Sequence, residues 1–264
     1  MSRIRETFAS LKRGGRGGFI PFITAGDPDI ATTELLLIEL AAAGADIIEL
    51  GVPFSDPVAD GEVIQRASER ALRNGVTLRD ALACAARAKQ RIDVPIVLFS
   101  YFNPLLKFGE QKLAKEAKQA GVDGVLVTDL IPEEAQSWTE TLVQFDLDPI
   151  FLVAPTTSDE RLARIAQHAS GFIYAVSRAG VTGARDEMSR DAEALVKRVR
   201  SVSDFPVAVG FGISTAEQVR EVWRFADAAV IGSAIVSQIE KLGDSPDLVK
   251  RVADFARSLI APSG

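Results

Sequence analysis

The amino-acid sequence predicts an α/β protein, a closed (β/α)8 TIM barrel with an extra N-terminal helix. The first observation is a short apolar run that occurs eight times without strict polar alternation, as is typical of parallel strands covered by helices. The second is a helical pattern between the runs, so that the units repeat about every 30 residues. The third is the length of 264 residues, close to the roughly 250 that one such barrel needs. A doubly wound open sheet is the alternative, but it usually has five or six strands.

Turn and capping residues delimit the repeating units. A helix at residues 3–13 precedes the first strand and would plug the bottom of the barrel. Asp29, Pro132 and Ser158 stand where the next helices would open, since they suit a first helical turn. No Pro/Gly/Ser-rich linker divides the chain, so we expect a single domain over residues 1–264. The predicted strands are residues 18–24, 45–51, 95–101, 124–129, 148–154, 171–177, 206–210 and 228–232.

The composition is that of an ordinary globular protein, 47% hydrophobic and 25% charged. A net charge of −6 argues against nucleic acid as a partner, because a phosphate backbone requires a dense basic face. No apolar stretch approaches the roughly 20 residues that span a membrane, and no signal peptide opens the chain. We therefore expect a cytoplasmic protein that binds neither nucleic acid nor membranes.

Cys84 and His168 are each the only residue of their type, which limits the available chemistry. A single cysteine cannot form a disulfide within the chain, which is typical of a protein from a reducing compartment. The alanine-rich run around Cys84 predicts that this residue is small, buried and helical. His168 lies in a predicted helix, far in sequence from any acidic motif, and is expected at the surface or at a helix end. Zinc sites and histidine-based triads are therefore excluded, and we expect no metal.

Glu49 lies inside the apolar run of the second predicted strand, where an unpaired ionised carboxylate would cost several kcal/mol. It shares one side of that strand with Ile47, and this side faces either the barrel interior or a helix. One interpretation is a buried ion pair that stabilises the barrel. The other is a catalytic base whose pKa is raised by burial.

Asp60 follows Glu49 after a loop that contains Pro53 and Pro57. An Asp-Gly pair is common in turns, so Asp60 could be a turn residue without a further role. The two prolines instead favour a rigid loop that brings Asp60 back over the mouth of the barrel. Two carboxyl groups opposite each other would suit acid–base chemistry.

Loops at the C-terminal ends of the strands, where such barrels form their active sites, predict a phosphate site and a lid. Residues 177–186 contain two glycines and form either a lid that excludes water or a mobile connection. Gly212 follows strand seven, and Gly232 and Ser233 follow strand eight, where these barrels often bind phosphate. Glycine lets backbone N–H groups approach a ligand, and Ser233 would cap a short helix whose N-terminus favours an anion.

Apolar side chains near the same strand ends are either core residues or the lining of a pocket for a flat apolar group. The residues alone therefore predict a phosphorylated substrate with an apolar part, acted on by two carboxylates without a metal. The apolar candidates are Phe22, Phe99, Leu126, Leu152, Tyr174 and Phe211.

Five motifs stand out in the sequence: PFITAGDP at 21–28, ELGVPFSDP at 49–57, ADG at 59–61, SRAGVTG at 177–183 and GFGIS at 210–214. The first two are long and specific. Together they resemble the motifs of the tryptophan synthase alpha chain family, and the resemblance covers essentially the whole chain. The family implies a lyase of tryptophan biosynthesis that cleaves indole-3-glycerol phosphate to indole and glyceraldehyde 3-phosphate in a retro-aldol reaction.

The resemblance also implies roles for individual residues. Glu49 would be the general base that removes the proton from the glycerol hydroxyl, and Asp60 would accept a hydrogen bond from the indole N–H. Tyr174 would lie beside the reacting centre, and Thr182 would close with the lid. The phosphate would be bound by Gly183, Gly212, Gly232 and Ser233, and the indole by Phe22, Leu126, Leu152 and Phe211.

Three positions depart from the commonest pattern of the family. Glu62 stands where proline is frequent, and this difference would loosen the loop that holds Asp60 or add a charge at its rim. Phe99 and Thr128 stand at indole-pocket positions often filled by leucine and alanine, which bears on the shape of the pocket and not on the reaction.

The family further implies a partner, a beta chain in an alpha2-beta2 heterotetramer. The pyridoxal phosphate site of that partner would use the indole, with L-serine, to make L-tryptophan, and the alpha chain itself would carry no cofactor. The contact would lie at residues 53–56 and 103–107, where an exposed Phe54 or the pair Leu105 and Leu106 would fit an interface.

Two other functions stay open from the sequence. One is a different enzyme on the same barrel, either a phosphosugar isomerase or aldolase, or an indole-releasing lyase that acts alone. An isomerase or aldolase would need a lysine or a second acid at a strand end, and the strand ends carry no lysine. The other is a barrel that only binds and activates a partner; it could lose a carboxylate, whereas both are present here.

Overall fold

The structure is a computed structural model that describes residues 1–176, 185–210 and 212–261, without the side chains of residues 185–189. Eight parallel strands follow one another around a closed barrel in chain order, so the predicted (β/α)8 architecture is confirmed. The strands are β1 Gly18–Thr24, β2 Ile48–Gly51, β3 Ile96–Ser100, β4 Gly124–Val127, β5 Asp148–Val153, β6 Ile173–Val176, β7 Val207–Gly210 and β8 Ala228–Ile231.

The described residues form twelve helices, eleven of which follow the first strand. Several begin at short polar caps, such as Asp29, Thr77 and Thr215, whose side chains accept hydrogen bonds from the first turn. The helices are α1 Arg3–Arg13, α2 Ile30–Ala42, α3 Glu62–Arg73, α4 Leu78–Ala88, α5 Phe102–Phe108, α6 Glu110–Gln119, α7 Gln136–Gln144, α8 Asp159–His168, α9 Arg185–Val202, α10 Ala216–Val222, α11 Ser233–Leu242 and α12 Leu248–Ile260.

Alternate side chains of each strand face either the surrounding helices or the barrel interior. On β1, Phe19 and Ile23 pack outward against helices, whereas Ile20 belongs to the interior cluster. Burial on both sides explains why the strands appear in the sequence as continuous apolar runs. The interior cluster includes Ile20, Ile47, Val97, Leu126, Ile150, Ala208, Ala228 and Val230.

The helix α1 closes the lower end of the barrel, as the sequence predicted. Its buried residues Ile4, Phe8 and Leu11 belong to the same cluster as the interior strand residues. The rings of Phe8 and Phe172 lie with their centroids 5.6 Å apart. The interior of the barrel is therefore closed at this end, and its other end is the C-terminal one, where such barrels form their active sites.

The second strand and the helix expected at Pro132 begin later than predicted. The second strand was predicted at 45–51 but pairs with its neighbours only over Ile48–Gly51. Pro132 opens a single turn and not a helix, because the N–H of Ala135 donates to the Pro132 carbonyl before α7 begins at Gln136.

Cys84 and His168 lie where the sequence placed them. Cys84 is buried in α4, and burial raises the pKa of its thiol to about 11, so that it holds its proton at neutral pH. His168 is the last residue of α8. Within the described residues, none of the helices has the length and apolar character needed to cross a membrane.

Candidate active site

Glu49 lies in the middle of β2 and points into the barrel. Its neighbours Ile48 and Leu50 pack outward against the helices, so the alternation of the strand turns Glu49 inward. It stands in register with Phe22 on β1 and with Val97 on β3. Of the two orientations that the sequence left open, the structure therefore has the inward one.

The carboxyl group of Glu49 is fully buried, at 0% exposure. Neither of its oxygen atoms has a hydrogen-bond partner among the described residues, so the structural ion pair considered from the sequence has no counterpart there. Burial raises the pKa of this carboxyl group well above its usual value, because the charged form loses its hydration. A carboxylate in such surroundings is a stronger base than an exposed carboxylate, and it can accept a proton from a hydroxyl that reaches it.

Asp60 ends the loop between β2 and α3, which folds back onto the first turn of that helix. The Asp60 N–H donates to the Pro57 carbonyl over 3.0 Å, and the Asp60 carbonyl accepts from Gln65 Nε2 over 2.9 Å. Burial raises the pKa of the Asp60 carboxyl group to about 6, although a hydrogen bond from Tyr101 acts in the opposite direction. The group is therefore mostly ionised at pH 7 and can accept a hydrogen bond.

Tyr101 is a site residue that the sequence analysis missed. Its hydroxyl accepts a hydrogen bond from the Ala59 N–H over 2.9 Å and also bonds to the carboxylate of Asp60. Its ring packs against the ring of Phe54, with centroids 5.1 Å apart. The available signal was a tyrosine at the end of a predicted strand. The sequence could not show that the loop of the neighbouring strand folds over it.

Tyr174 on β6 lies near the carboxyl groups of both Glu49 and Asp60. Burial, followed by the charges of Glu49 and Asp60, raises the pKa of its phenol well above the usual value. Both carboxyl groups therefore lie within electrostatic range of one hydroxyl. Gly210 on β7 leaves space for that hydroxyl, since a Cβ atom there would lie 2.3 Å from Tyr174 Oη.

The five apolar candidates that the structure describes lie on this side of the barrel. Leu126 and Tyr174 belong to the interior cluster, and Leu152 and Phe99 pack against it. Phe99 also meets Phe22 edge to face, with ring centroids 5.2 Å apart. Such a wall suits a flat apolar group.

Thr128, the other position that departs from the family pattern, is half-buried just beyond β4. Its hydroxyl donates to the Ser100 carbonyl over 3.3 Å. The hydroxyl is thus bonded to the backbone of the neighbouring strand, which satisfies a polar group at the edge of an apolar region.

The glycine turn after β8 has the features of an anion site. The helix α11 begins at Ser233, and its cap residue is Gly232, with no side chain bonded to the cap. Ser233 is therefore the first helical residue and not the cap that the sequence predicted, and the first N–H groups of the helix stay available to an anion. A Cβ atom on Gly232 would lie 3.7 Å from Phe22, so this turn adjoins the apolar lining.

Gly212, after β7, has a φ of +47°, in the left-handed region that favours glycine. A Cβ atom at this position would meet open space. Thr182, Gly183 and Phe211, together with the predicted lid, lie outside the described residues over residues 177–184 and at 211.

The described residues contain no group of three or more His, Cys, Asp or Glu side chains that could hold a metal ion. What the site offers is a buried carboxyl group in an apolar wall, a second carboxyl group nearby, and a helix N-terminus at the other end. This arrangement can hold a phosphorylated ligand with an aromatic part and move protons at two points of it.

Comparison with known proteins agrees with that chemistry. Residues 8–261 match the family described as tryptophan synthase alpha chain. A tryptophan synthase alpha chain of Citrifermentans bemidjiense is 50% identical over 259 residues, covering 98% of this chain and 97% of the relative. A crystal structure of tryptophan synthase subunit alpha from Legionella pneumophila superimposes with a TM-score of 0.91 at 36% identity, covering 98% of each chain. A ligand-free crystal structure of tryptophan synthase from M. tuberculosis gives 0.88 at 37% identity, covering 99% of this chain and 100% of that one.

Proposed function

The chain belongs to the tryptophan synthase alpha chain family, and we propose that Glu49 and Asp60 carry out its reaction. That reaction is the cleavage of indole-3-glycerol phosphate in tryptophan biosynthesis, and the protein is accordingly an enzyme, a lyase. The observation that supports the residue roles most is the buried Glu49 carboxyl group, without a partner among the described residues, at the same end of the barrel as Asp60 and the Gly232 turn.

Glu49 acts as the general base on the glycerol hydroxyl next to the bond that breaks. Removing this proton lets the oxygen form a carbonyl while the carbon–carbon bond releases its electrons toward the ring. The raised pKa of Glu49 suits the task, because a base is most effective when its pKa lies near the working pH. Tyr174 lies beside this reacting centre.

Asp60 acts at the other end of the same electron flow. The indole ring carbon takes up one proton from solvent before the bond breaks, and the proton that Glu49 then removes from the hydroxyl balances it. The protonated ring carries a positive charge on its nitrogen, and an ionised Asp60 stabilises this charge by accepting a hydrogen bond from the N–H. The two bonds through which Tyr101 holds Ala59 and Asp60 keep that carboxylate in place. Phe22, Leu126, Leu152 and Phe211 hold the flat ring.

The phosphate group lies at the N-terminus of α11, where Gly232 and Ser233 offer backbone N–H groups and a hydroxyl. Gly183 and Gly212 complete this site from the loops after β6 and β7, and Thr182 closes with the first of these loops. The chain itself uses no cofactor, because two carboxylates and an anion site suffice for a retro-aldol cleavage.

The partner is a beta chain in an alpha2-beta2 assembly, in the cytoplasm, and its pyridoxal phosphate site uses the indole. Support comes from exposed apolar side chains beyond three neighbouring strands: Val58, Leu106 and Ile131 are 86%, 53% and 41% exposed. Of the residues expected at this surface, Leu105 is fully buried and Phe54 is half-buried against Tyr101, which leaves Leu106 as the exposed one. This surface favours a subunit over a lyase that acts alone.

The direct test measures release of indole from indole-3-glycerol phosphate by the purified chain, with and without a tryptophan synthase beta chain. The Glu49→Gln variant should lose about 10²–10⁴-fold in kcat, the usual contribution of a general base, while its thermal unfolding stays cooperative. Glu62→Gln is the matched control, because Glu62 is an exposed carboxylate at the start of α3. A folded Glu49→Gln variant that keeps near-normal turnover would refute the assignment of the base.

A further inference from the structure

The helix α3 contacts both ends of the candidate site. At its first turn, Gln65 Nε2 donates to the Asp60 carbonyl over 2.9 Å and lies 3.4 Å from the Pro57 carbonyl oxygen. On another side, Ile64 adjoins the glycine turn, since a Cβ atom on Gly232 would lie 3.7 Å from Ile64 Cδ1. The position of α3 therefore fixes the loop of Asp60 and part of the wall beside the phosphate turn.

Arg70, two turns farther along α3, joins this helix to two other elements. Its Nε and Nη2 donate to the two carboxylate oxygens of Asp27, over 2.7 and 2.9 Å, in the loop after β1. Its Nη1 donates to Glu240 Oε1 over 2.7 Å, on α11. One planar guanidinium thus binds two carboxylates at once, an arrangement that the rigid fork of arginine permits.

Neighbouring contacts strengthen the same connection. Arg66, one turn before Arg70, donates to both carboxylate oxygens of Glu240 over 2.7 and 2.8 Å. Asn74, at the end of α3, donates to the Pro28 carbonyl over 2.6 Å. Asp27 is almost fully buried, so its pairing with Arg70 is shielded from solvent and from salt.

The helix α11 makes this network relevant to the reaction. It begins at Ser233, beside the proposed phosphate site, and carries Glu240 two turns later. The guanidinium of Arg70 therefore connects the helix that follows the Asp60 loop with the helix that binds the phosphate group.

We propose that Arg70 is a positioning residue for the cleavage reaction, because it sets the spacing between the Asp60 loop and the phosphate turn at Gly232. This inference rests on the proposed function, in which the substrate spans both ends of the site. A misplacement of about 1 Å at a reacting group can cost roughly 10²-fold in rate. Arg70 touches no substrate atom in this account and acts through α3.

The experiment replaces Arg70 by lysine, which keeps the charge but is a point charge that cannot bind two carboxylates through three nitrogens. We expect kcat/KM for indole-3-glycerol phosphate to fall by about fivefold or more, with both a higher KM and a lower kcat. Glyceraldehyde 3-phosphate lacks the indole ring and therefore does not reach the Asp60 loop, so its inhibition constant should stay within about twofold. Arg73→Lys is the control, because Arg73 lies on the same helix, is 76% exposed and pairs only with Glu69 among the described residues.

Two results would overturn the proposal. A loss smaller than about fivefold overturns it, and so does an equal weakening of substrate and glyceraldehyde 3-phosphate, because a purely structural role predicts no difference between them. If Arg70→Lys does not fold, the paired variant Asp27→Asn/Arg70→Gln, which leaves no unpaired buried carboxylate, is judged by the same criteria. The Glu49→Gln variant separates this idea from the proposed function: if it stays active, the function assignment fails whatever Arg70 shows.

Discussion

The two carboxyl groups of the site differ in the hydrogen bonds that they receive. Glu49 is buried among apolar side chains without a hydrogen bond from the described residues, whereas Asp60 receives one from Tyr101. Burial raises the pKa of both groups, and the bond to Asp60 moderates the increase, which leaves that pKa at about 6. Two acids with separate environments suit two separate tasks.

The pH dependence of the reaction should reflect these environments. Both groups act in their ionised forms, so kcat/KM should fall as the pH decreases through about 6, and it should fall at a higher pH than ordinary carboxyl groups would allow. Kinetics of indole release between pH 5 and 9 would measure this. An acid limb near pH 4 would contradict the raised pKa values.

The same pKa shifts affect folding with a definite sign. Because the folded-state pKa of Asp60 lies near 6, above its usual 3.8, the folded protein binds this proton more tightly than the unfolded chain does. The contribution of Asp60 to stability is therefore fully present below about pH 3.8 and lost as the pH rises through 6. Relative to the parent, Asp60→Asn should gain stability between pH 5 and 7, as urea unfolding would show. An unchanged difference across that range would contradict this sign.

Tyr101 offers a second test at the scale of one side chain. Its hydrogen bond favours the ionised form of Asp60, so Tyr101→Phe should raise the pKa of Asp60 and move the acid limb of kcat/KM to higher pH. The same substitution in an Asp60→Asn background should leave the limb where it is. A shift of equal size in both backgrounds would show that Tyr101 acts on another group.

At the scale of elements, the sequence predicts the order and type of the units well, because buried parallel strands and amphipathic helices have distinct periods. It could not choose the side of β2 that Glu49 faces, since a period of two identifies two faces without saying which is inside. It also missed Tyr101 and the packing of Phe54 against it, because both depend on the loop after β2 folding across β3. The cap of α11 at Gly232 depends similarly on the geometry of the chain entering the helix.

One close contact between elements predicts a stability effect. The chain passes against Trp223 at Gly17, where a Cβ atom would lie 2.0 Å from Trp223 Cδ1, and the indole N–H of Trp223 donates to the Gly18 carbonyl over 2.8 Å. Gly17→Ala should therefore lower the free energy of unfolding by about 1–3 kcal/mol. Gly14→Ala is the control, because its Cβ atom would meet ordinary contacts at 3.5 Å with a φ of −77°. Denaturant unfolding of the two variants would compare them; equal stability would contradict the overpacking.

At the scale of the whole molecule, the segments that follow three neighbouring strands each expose an apolar side chain at the end of the barrel that carries the site. Val58, Leu106 and Ile131 follow β2, β3 and β4 in turn, so they lie on adjacent sectors of the same rim. Asp60 is two residues from Val58 in the same loop. A subunit bound to this rim would therefore bear directly on the position of a proposed active-site residue.

The corresponding prediction concerns the gain in rate on adding a beta chain. A charge at the centre of an apolar interface is costly, so Leu106→Asp should reduce this gain by about tenfold or more. Val143→Asp, at a 57% exposed position near the end of α7, should keep the gain of the parent. Titration of each variant with beta chain would measure the effect, and an undiminished gain for Leu106→Asp would place the contact elsewhere.

The helix α1, which closes the lower end of the barrel, limits the routes by which the product can leave. Among the described residues, Ile4, Phe8 and Phe172 fill the barrel beneath the reacting groups and close the lower end to freshly made indole. We therefore expect indole to leave at the C-terminal rim, which carries Val58 and Leu106. A protein bound at this open end would therefore be the first to meet the product.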